Sequence, residues 1–224
     1  MVTESFDLPL VFHLGAAFLF GLTGALAALK RHYDLIGLFT LALVTGVGGG
    51  LIRDGLFIQN GPPLVTQNSE YLLVIVAACL VAMFFGERIN RLQKAFAFVD
   101  ALGLAIYAVV GVQMSLQAGL AEAPAVLVGV VNACGGGLLR DILVREEPLV
   151  FKPGQFYALA AFVGSGLFAL LEIQFKMAAP AAALLTIVVT FVFRALAIQF
   201  NWKTSPILKI PVEADTAADG KPNS

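Results

Sequence analysis

Two stretches of the chain carry groups able to do chemistry, and they read almost alike. They are "GVGGGLIRDGL" over residues 46–56 and "ACGGGLLRDIL" over residues 133–143. Each sets an arginine and an aspartate, Arg53 with Asp54 and Arg140 with Asp141, three residues after a glycine triplet. The triplets are Gly48, Gly49, Gly50 and Gly135, Gly136, Gly137. Inside a bilayer an ionised side chain costs about 2.5–3.5 kcal/mol, so each needs a partner or water, and such groups mark ion or substrate paths. Glycine costs about 1 kcal/mol relative to alanine in a helix interior, so three together predict a local unwinding or kink. Carbonyls freed at such a break could hold a passing cation transiently, without a fixed metal site. The competing reading is that the glycines only let two helices approach closely, as small residues do in membranes.

The elements that must position these groups are membrane spans. Of 224 residues, 59% are hydrophobic and only 13% charged, with a mean hydropathy of +0.88. A soluble domain carries about 25% charged residues. Crossing the hydrocarbon takes roughly 20 apolar residues. Seven runs fit: Leu8–Leu29, Leu35–Ile58, Tyr71–Phe85, Ala95–Gln117, Pro124–Val144, Gln155–Ile173 and Met177–Phe200. Both triplets then fall near mid-bilayer, in spans two and five. The first run follows the acidic "MVTESFD", so it is read as a retained span rather than a cleaved signal. Cys79 and Cys134 sit in apolar runs and are expected to pack as free thiols. The tail from residue 203, "KTSPILKIPVEADTAADGKPNS", is expected to be cytoplasmic and disordered.

Basic residues assign the sides. Lys30 and Arg31, then Arg88, Arg91 and Lys94, then Arg145 and Lys152, and finally Arg194, Lys203 and Lys209 all fall in alternate connections. The other loops, "NGPPLVTQNSE" and "AGLAEAP", hold no Lys or Arg; Lys176 breaks the pattern. This predicts an outside N-terminus and a cytoplasmic C-terminus in a prokaryotic inner membrane, with Trp202 at the inner interface.

The two motifs are offset by 135 − 48 = 87 residues. That offset also superimposes Gly24 on Gly111 and His13 on Asp100, and a slip of two aligns "PLV" at 63–65 with "PLV" at 148–150. The chain therefore divides into a first three-helix repeat (1–90), a second (91–176), a seventh helix (177–202) and the tail (203–224). Three is odd, so the second copy enters the membrane from the opposite face, an inverted repeat of the kind that moves solutes. Overall the fold class is an all-α membrane protein, with helices two and five kinked at their glycines.

Neighbouring residues on a helix point in different directions, so Arg53–Asp54 and Arg140–Asp141 are not expected to satisfy one another. At about 1.5 Å per residue, Arg53 and Asp141 lie roughly 6 and 7 Å on opposite sides of the midplane, too far for direct contact. Groups at matching depth suggest the pairs Arg140–Asp100 and Asp54–His13, with a backbone hydrogen bond as the plainer account of His13. Thr45 and Asn132 occupy equivalent positions before the triplets; either could bond at the break, and Thr45 could equally bond its own helix.

No glycine-rich loop follows a strand, no histidine pair shares a helix face, and no nucleophile has an evident base, so neither an enzyme nor a cofactor is expected. A net charge of −1 leaves no polycationic surface for nucleic acid.

Doubled "GGG-x-x-R-D" motifs in spans two and five of a three-plus-three-plus-one chain resemble the prokaryotic trimeric intracellular cation (TRIC) channels, a branch also labelled by a glycine-transporter domain. The resemblance covers about residues 8–200. It implies a homotrimer with one pore per protomer, conducting potassium past kinked second and fifth helices. The residues it carries over are the six motif glycines with Arg53, Asp54, Arg140 and Asp141. Animal members carry Lys-Glu-Val at the first triplet, so their gating and lipid regulation need not apply; lipid at the trimer surface is a further expectation. Two other classes remain open. One is a secondary transporter of a small zwitterion such as glycine, and the other is a membrane scaffold without flux. Replacing Gly49 or Gly136 by leucine is expected to reduce potassium flux without preventing assembly.

Overall fold

Each predicted apolar run forms a helix in the computed structural model, which describes residues 10–91, 94–152 and 156–202. The acidic N-terminal segment and the tail from residue 203, with Lys203 and Lys209, lie outside the described residues. In chain order the helices are α1 (Leu10–Lys30), α2 (Leu35–Ile52), α3 (Leu64–Gln67), α4 (Glu70–Arg91), α5 (Ala95–Gln117), α6 (Glu122–Leu143), α7 (Tyr157–Ile173) and α8 (Ala179–Gln199). A π-helical segment, Arg53–Ile58, continues α2. The described residues contain no strand. Five helices are long and apolar enough to cross a bilayer: α1, α2 with its π-helical extension, α5, α6 and α8. The apolar parts of α4 and α7, Glu70–Gly86 and Tyr157–Ile173, are shorter. This is an all-helical membrane protein.

Local signals set the helix boundaries. The Asp34 carboxylate accepts from the Gly37 amide at 2.8 Å and caps α2. Pro180 stands in the first turn of α8, where a missing N–H costs least. Gly61 (φ +96°) and Gly119 (φ +86°) sit in the turns that close the α2–α4 and α5–α6 connections, a backbone region favouring glycine.

α1 packs against α2 and α4 through Leu22, Leu26, Leu38, Leu41, Ile75 and Ala78, and α5 packs against α6, α7 and α8 through Val109, Val112, Ala125, Phe168 and Ala182. The two groups meet where α1 lies on α5 and where α2 crosses α6. At the first contact Phe20 stacks on Tyr107, centroids 5.3 Å apart; these residues also differ by 107 − 20 = 87 in number. Arg31 in the α1–α2 connection pairs with Glu146 in the α6–α7 connection at 2.9 Å, and Lys94 before α5 donates to Gln199 at the end of α8 at 2.8 Å.

The glycine triplets correct one expectation. Neither helix unwinds at them: α2 remains α-helical through Gly50 and α6 through Gly137 and beyond. The departure from α geometry comes later, in the π-helical segment beginning at Arg53. What the glycines supply is proximity. A Cβ on Gly49 would overlap the carbonyl oxygen of Asn132, and one on Gly136 would overlap that of Thr45. A Cβ on Gly135 would stand 3.1 Å from the Gly49 Cα. The close-packing reading of the triplets is the one this geometry matches, because a facing helix occupies the space side chains would need.

Candidate functional site

Both Arg–Asp pairs are buried, and they are built on one plan. Arg53 opens the π-helical segment; its amide donates to the carbonyls of Gly49 and Gly50, which are therefore engaged rather than free. Its Nε donates to Asp54 Oδ1 at 2.7 Å, and Arg140 Nε donates to Asp141 Oδ1 at 2.9 Å. The expectation that adjacent residues would not satisfy each other is thus corrected at both places. The reason is that each carboxylate is turned sideways by a second donor, the amide of a residue that follows a proline. The Leu64 amide donates to Asp54 Oδ2 at 3.1 Å, and the Leu149 amide to Asp141 Oδ2 at 3.0 Å. These amides belong to the repeated "PLV" triplets, whose proline sets a turn and whose leucine offers an N–H over the carboxylate. The signal for this partner stood in the sequence; its use did not.

The third group at each site differs. Arg140 Nη1 donates to Asp100 Oδ1 at 2.7 Å and to Thr23 Oγ1 at 2.8 Å, the pairing the equivalent depths suggested. Its guanidinium also covers the Phe96 ring at 4.9 Å. At the other site Arg53 Nη1 reaches Asn132 Oδ1 at 3.4 Å. His13 is brought to Asp54 in the sense that both line one small cavity, of about 10 Å³, together with Arg53, Tyr71 and Tyr107. The Asp54 oxygens themselves are held by Arg53 and Leu64. A larger cavity of about 200 Å³, lined by Asp54, Asn60, Gln67 and Gln117, adjoins it.

Between the two sites lies the helix crossing. Asn132 Nδ2 donates to the Tyr107 carbonyl at 2.7 Å, and the Tyr107 hydroxyl donates to the Gly46 carbonyl. Thr45 bonds its own helix at Leu41, 2.6 Å away. Tyr107→Phe is expected to cost about 1 kcal/mol, because the Gly46 carbonyl keeps its place in the helical ladder; SDS-driven unfolding in mixed micelles measures it.

Arg194 is not a loop cation, contrary to the expectation from its place at the end of an apolar run. It is buried within α8, its guanidinium 5.1 Å from the Tyr157 ring centroid. With it, the buried charges among the described residues balance: Arg53, Arg140 and Arg194 against Asp54, Asp100 and Asp141. A low-dielectric interior favours such neutrality. Hydropathy alone could not place Arg194, since it lies near the end of an apolar run. Cys79 and Cys134 are buried free thiols, as expected.

An all-helical membrane protein with two like-built, buried arginine–aspartate sites on either side of a glycine crossing is the class this fold and site define. The chain belongs to the family described as Glycine transporter, whose model matches residues 10–87 and again residues 97–172. A UPF0126 membrane protein of Deinococcus radiodurans is 34% identical over 195 residues, 86% of this chain and 88% of the relative. The TRIC trimeric intracellular cation channel orthologue from Rhodobacter sphaeroides is similar in structure, with a TM-score of 0.79 and 30% identity over 85% of this chain and 97% of that one. A second solved TRIC cation channel, studied for its conductance, gives a TM-score of 0.80 and 28% identity over 92% of this chain and all of that one. The family and fold are those of membrane channels rather than enzymes.

Proposed function

We propose that this chain is a potassium channel, a homotrimer with a pore in each protomer, in a prokaryotic plasma membrane with its N-terminus outside. One observation carries the reading: two neutralised arginine–aspartate sites are buried on either side of a helix crossing, in a fold that solved cation channels share. Seven spans arranged as two inverted three-helix repeats and a final helix underlie it. The twofold match of one family model and the matched Leu64 and Leu149 amide bonds support that arrangement.

In this mechanism cations enter from the cavity at Asp54, and the adjacent arginine keeps the carboxylate from trapping them. The route runs beside the α2–α6 crossing, not through broken helices. The Phe20–Tyr107 stack and the glycine crossing form the barrier between the sites, so conduction requires them to part. Lipid is expected to cover the outward apolar residues, such as Phe84 and Leu73.

The family's description favours a second reading, a secondary transporter of a small zwitterion. Purified protein in planar bilayers separates the two. A channel gives unitary current steps with potassium as the only permeant cation. Saturable, competed glycine uptake without steps would replace the channel with a transporter, and the absence of both would leave a scaffold.

A further inference from the structure

We infer that His13 makes cation flow through the Arg53–Asp54 site depend on protons, low pH closing that site. This rests on the channel reading above. The 87-residue offset places His13 where the second half has Asp100, since 100 − 13 = 87. Both side chains are buried, His13 at 7% exposure and Asp100 at 1%. The two sites share the arginine–aspartate pair and the amide that holds it; at the third position the second half sets a carboxylate and the first an imidazole.

Its consequence is electrostatic. Arg140 faces two carboxylates, Asp100 and Asp141. Arg53 faces Asp54 alone, and the site's fixed charges sum to zero while the imidazole is neutral. The cavity that His13 lines is also lined by Arg53 and Asp54 from the π-helical segment, Tyr71 from α4 and Tyr107 from α5; Val47, Gly50, Leu64 and Val65 complete its wall without charge. An unperturbed imidazole changes charge between about pH 5 and pH 8, which no other side chain does unperturbed. Gaining it here sets a second cation beside Arg53, on the route a potassium ion must take.

Access for the proton is present. The cavity that His13 shares with Asp54 measures about 10 Å³, enough for about one water with several polar partners. Asp54 and Leu64 also line the 200 Å³ cavity, which reaches Asn60, Gln67 and Gln117 in the polar connections. A water at His13 would therefore be one step from the larger cavity.

The test uses the full chain in planar bilayers with symmetric potassium chloride and equal pH on both sides. Potassium conductance should fall about three- to hundred-fold between pH 8 and pH 5, the span for one unit charge about 6 Å from a passing ion at effective dielectric constants of about 80 to 20. His13→Asn should remove that dependence, and His13→Asp, which copies Asp100, should retain conductance at pH 5. In parallel, His32→Asn leaves His13 as the sole histidine of two. Residue 32 lies in a turn at φ +56°, where asparagine is well tolerated. The remaining imidazole resonance in micelles should titrate between pH 5 and pH 8.

A resonance that stays fixed over that range overturns the inference, whatever the currents do. So does a pH dependence that survives in His13→Asn. Current at pH 8 that does not change with pH overturns this inference alone and leaves the channel standing. No potassium current at any pH overturns the channel reading, and this one with it.

Discussion

Replacing Asp100 by alanine is expected to destabilise the fold by about 3–5 kcal/mol, the cost of leaving one member of a buried ion pair behind. Arg140 and Asp100 are each only 1% exposed, and their 2.7 Å bond is the shortest that the guanidinium makes. Asp141 and Thr23 remain after the substitution, but Asp141 is also engaged by Leu149 and cannot turn to fill both roles. The control is the double variant Asp100→Ala with Arg140→Met, which removes the stranded charge and should recover more than half of the loss. Unfolding in SDS mixed micelles measures all three proteins. A single variant as stable as the natural chain would show that water reaches Arg140 and that the site is not dry.

The second large effect is expected at the crossing. Gly49→Ala and Gly136→Ala should each cost about 3 kcal/mol, the upper end of overpacking penalties. The atoms in the way are backbone carbonyl oxygens of Asn132 and Thr45, within the facing helices, so no side chain can turn aside to make room. The two helices must separate instead, and the Asn132 and Tyr107 hydrogen bonds that flank the crossing are strained together. Gly50→Ala is the discriminating comparison. Its Cβ would meet only Arg53 Nη2, at 3.8 Å. That change should be neutral or stabilising by up to about 1 kcal/mol, because alanine is the better helix former. Equal losses at all three positions would mean that helix geometry, not contact, selects the glycines. The expected cost also revises the leucine substitutions: at Gly49 or Gly136 a leucine should disturb folding itself, not flux alone.

What lies across from the triplets explains why neither helix unwinds there. Helix propensity is a local quantity, and by that measure three glycines weaken a span. Their effect in the fold is set by what lies opposite, and for Gly49, Gly135 and Gly136 that is the backbone of the other motif's helix. Two segments 87 residues apart in sequence must be superimposed before that becomes visible.

The sequence by itself determined the apolar runs that become helices, the doubled motif, and the Arg140–Asp100 bond. These follow from hydropathy, from charge, and from an internal repeat that assigns equal depth to equivalent positions; all three are properties of residue order. Tertiary structure alone decided that the glycines close a crossing, that each arginine holds its own neighbour, and that Arg194 turns inward onto Tyr157. Each depends on a partner brought in from elsewhere in the chain: an opposing carbonyl, an amide after a proline, an aromatic face. Such contacts are set by which surfaces meet, and residue order does not state that.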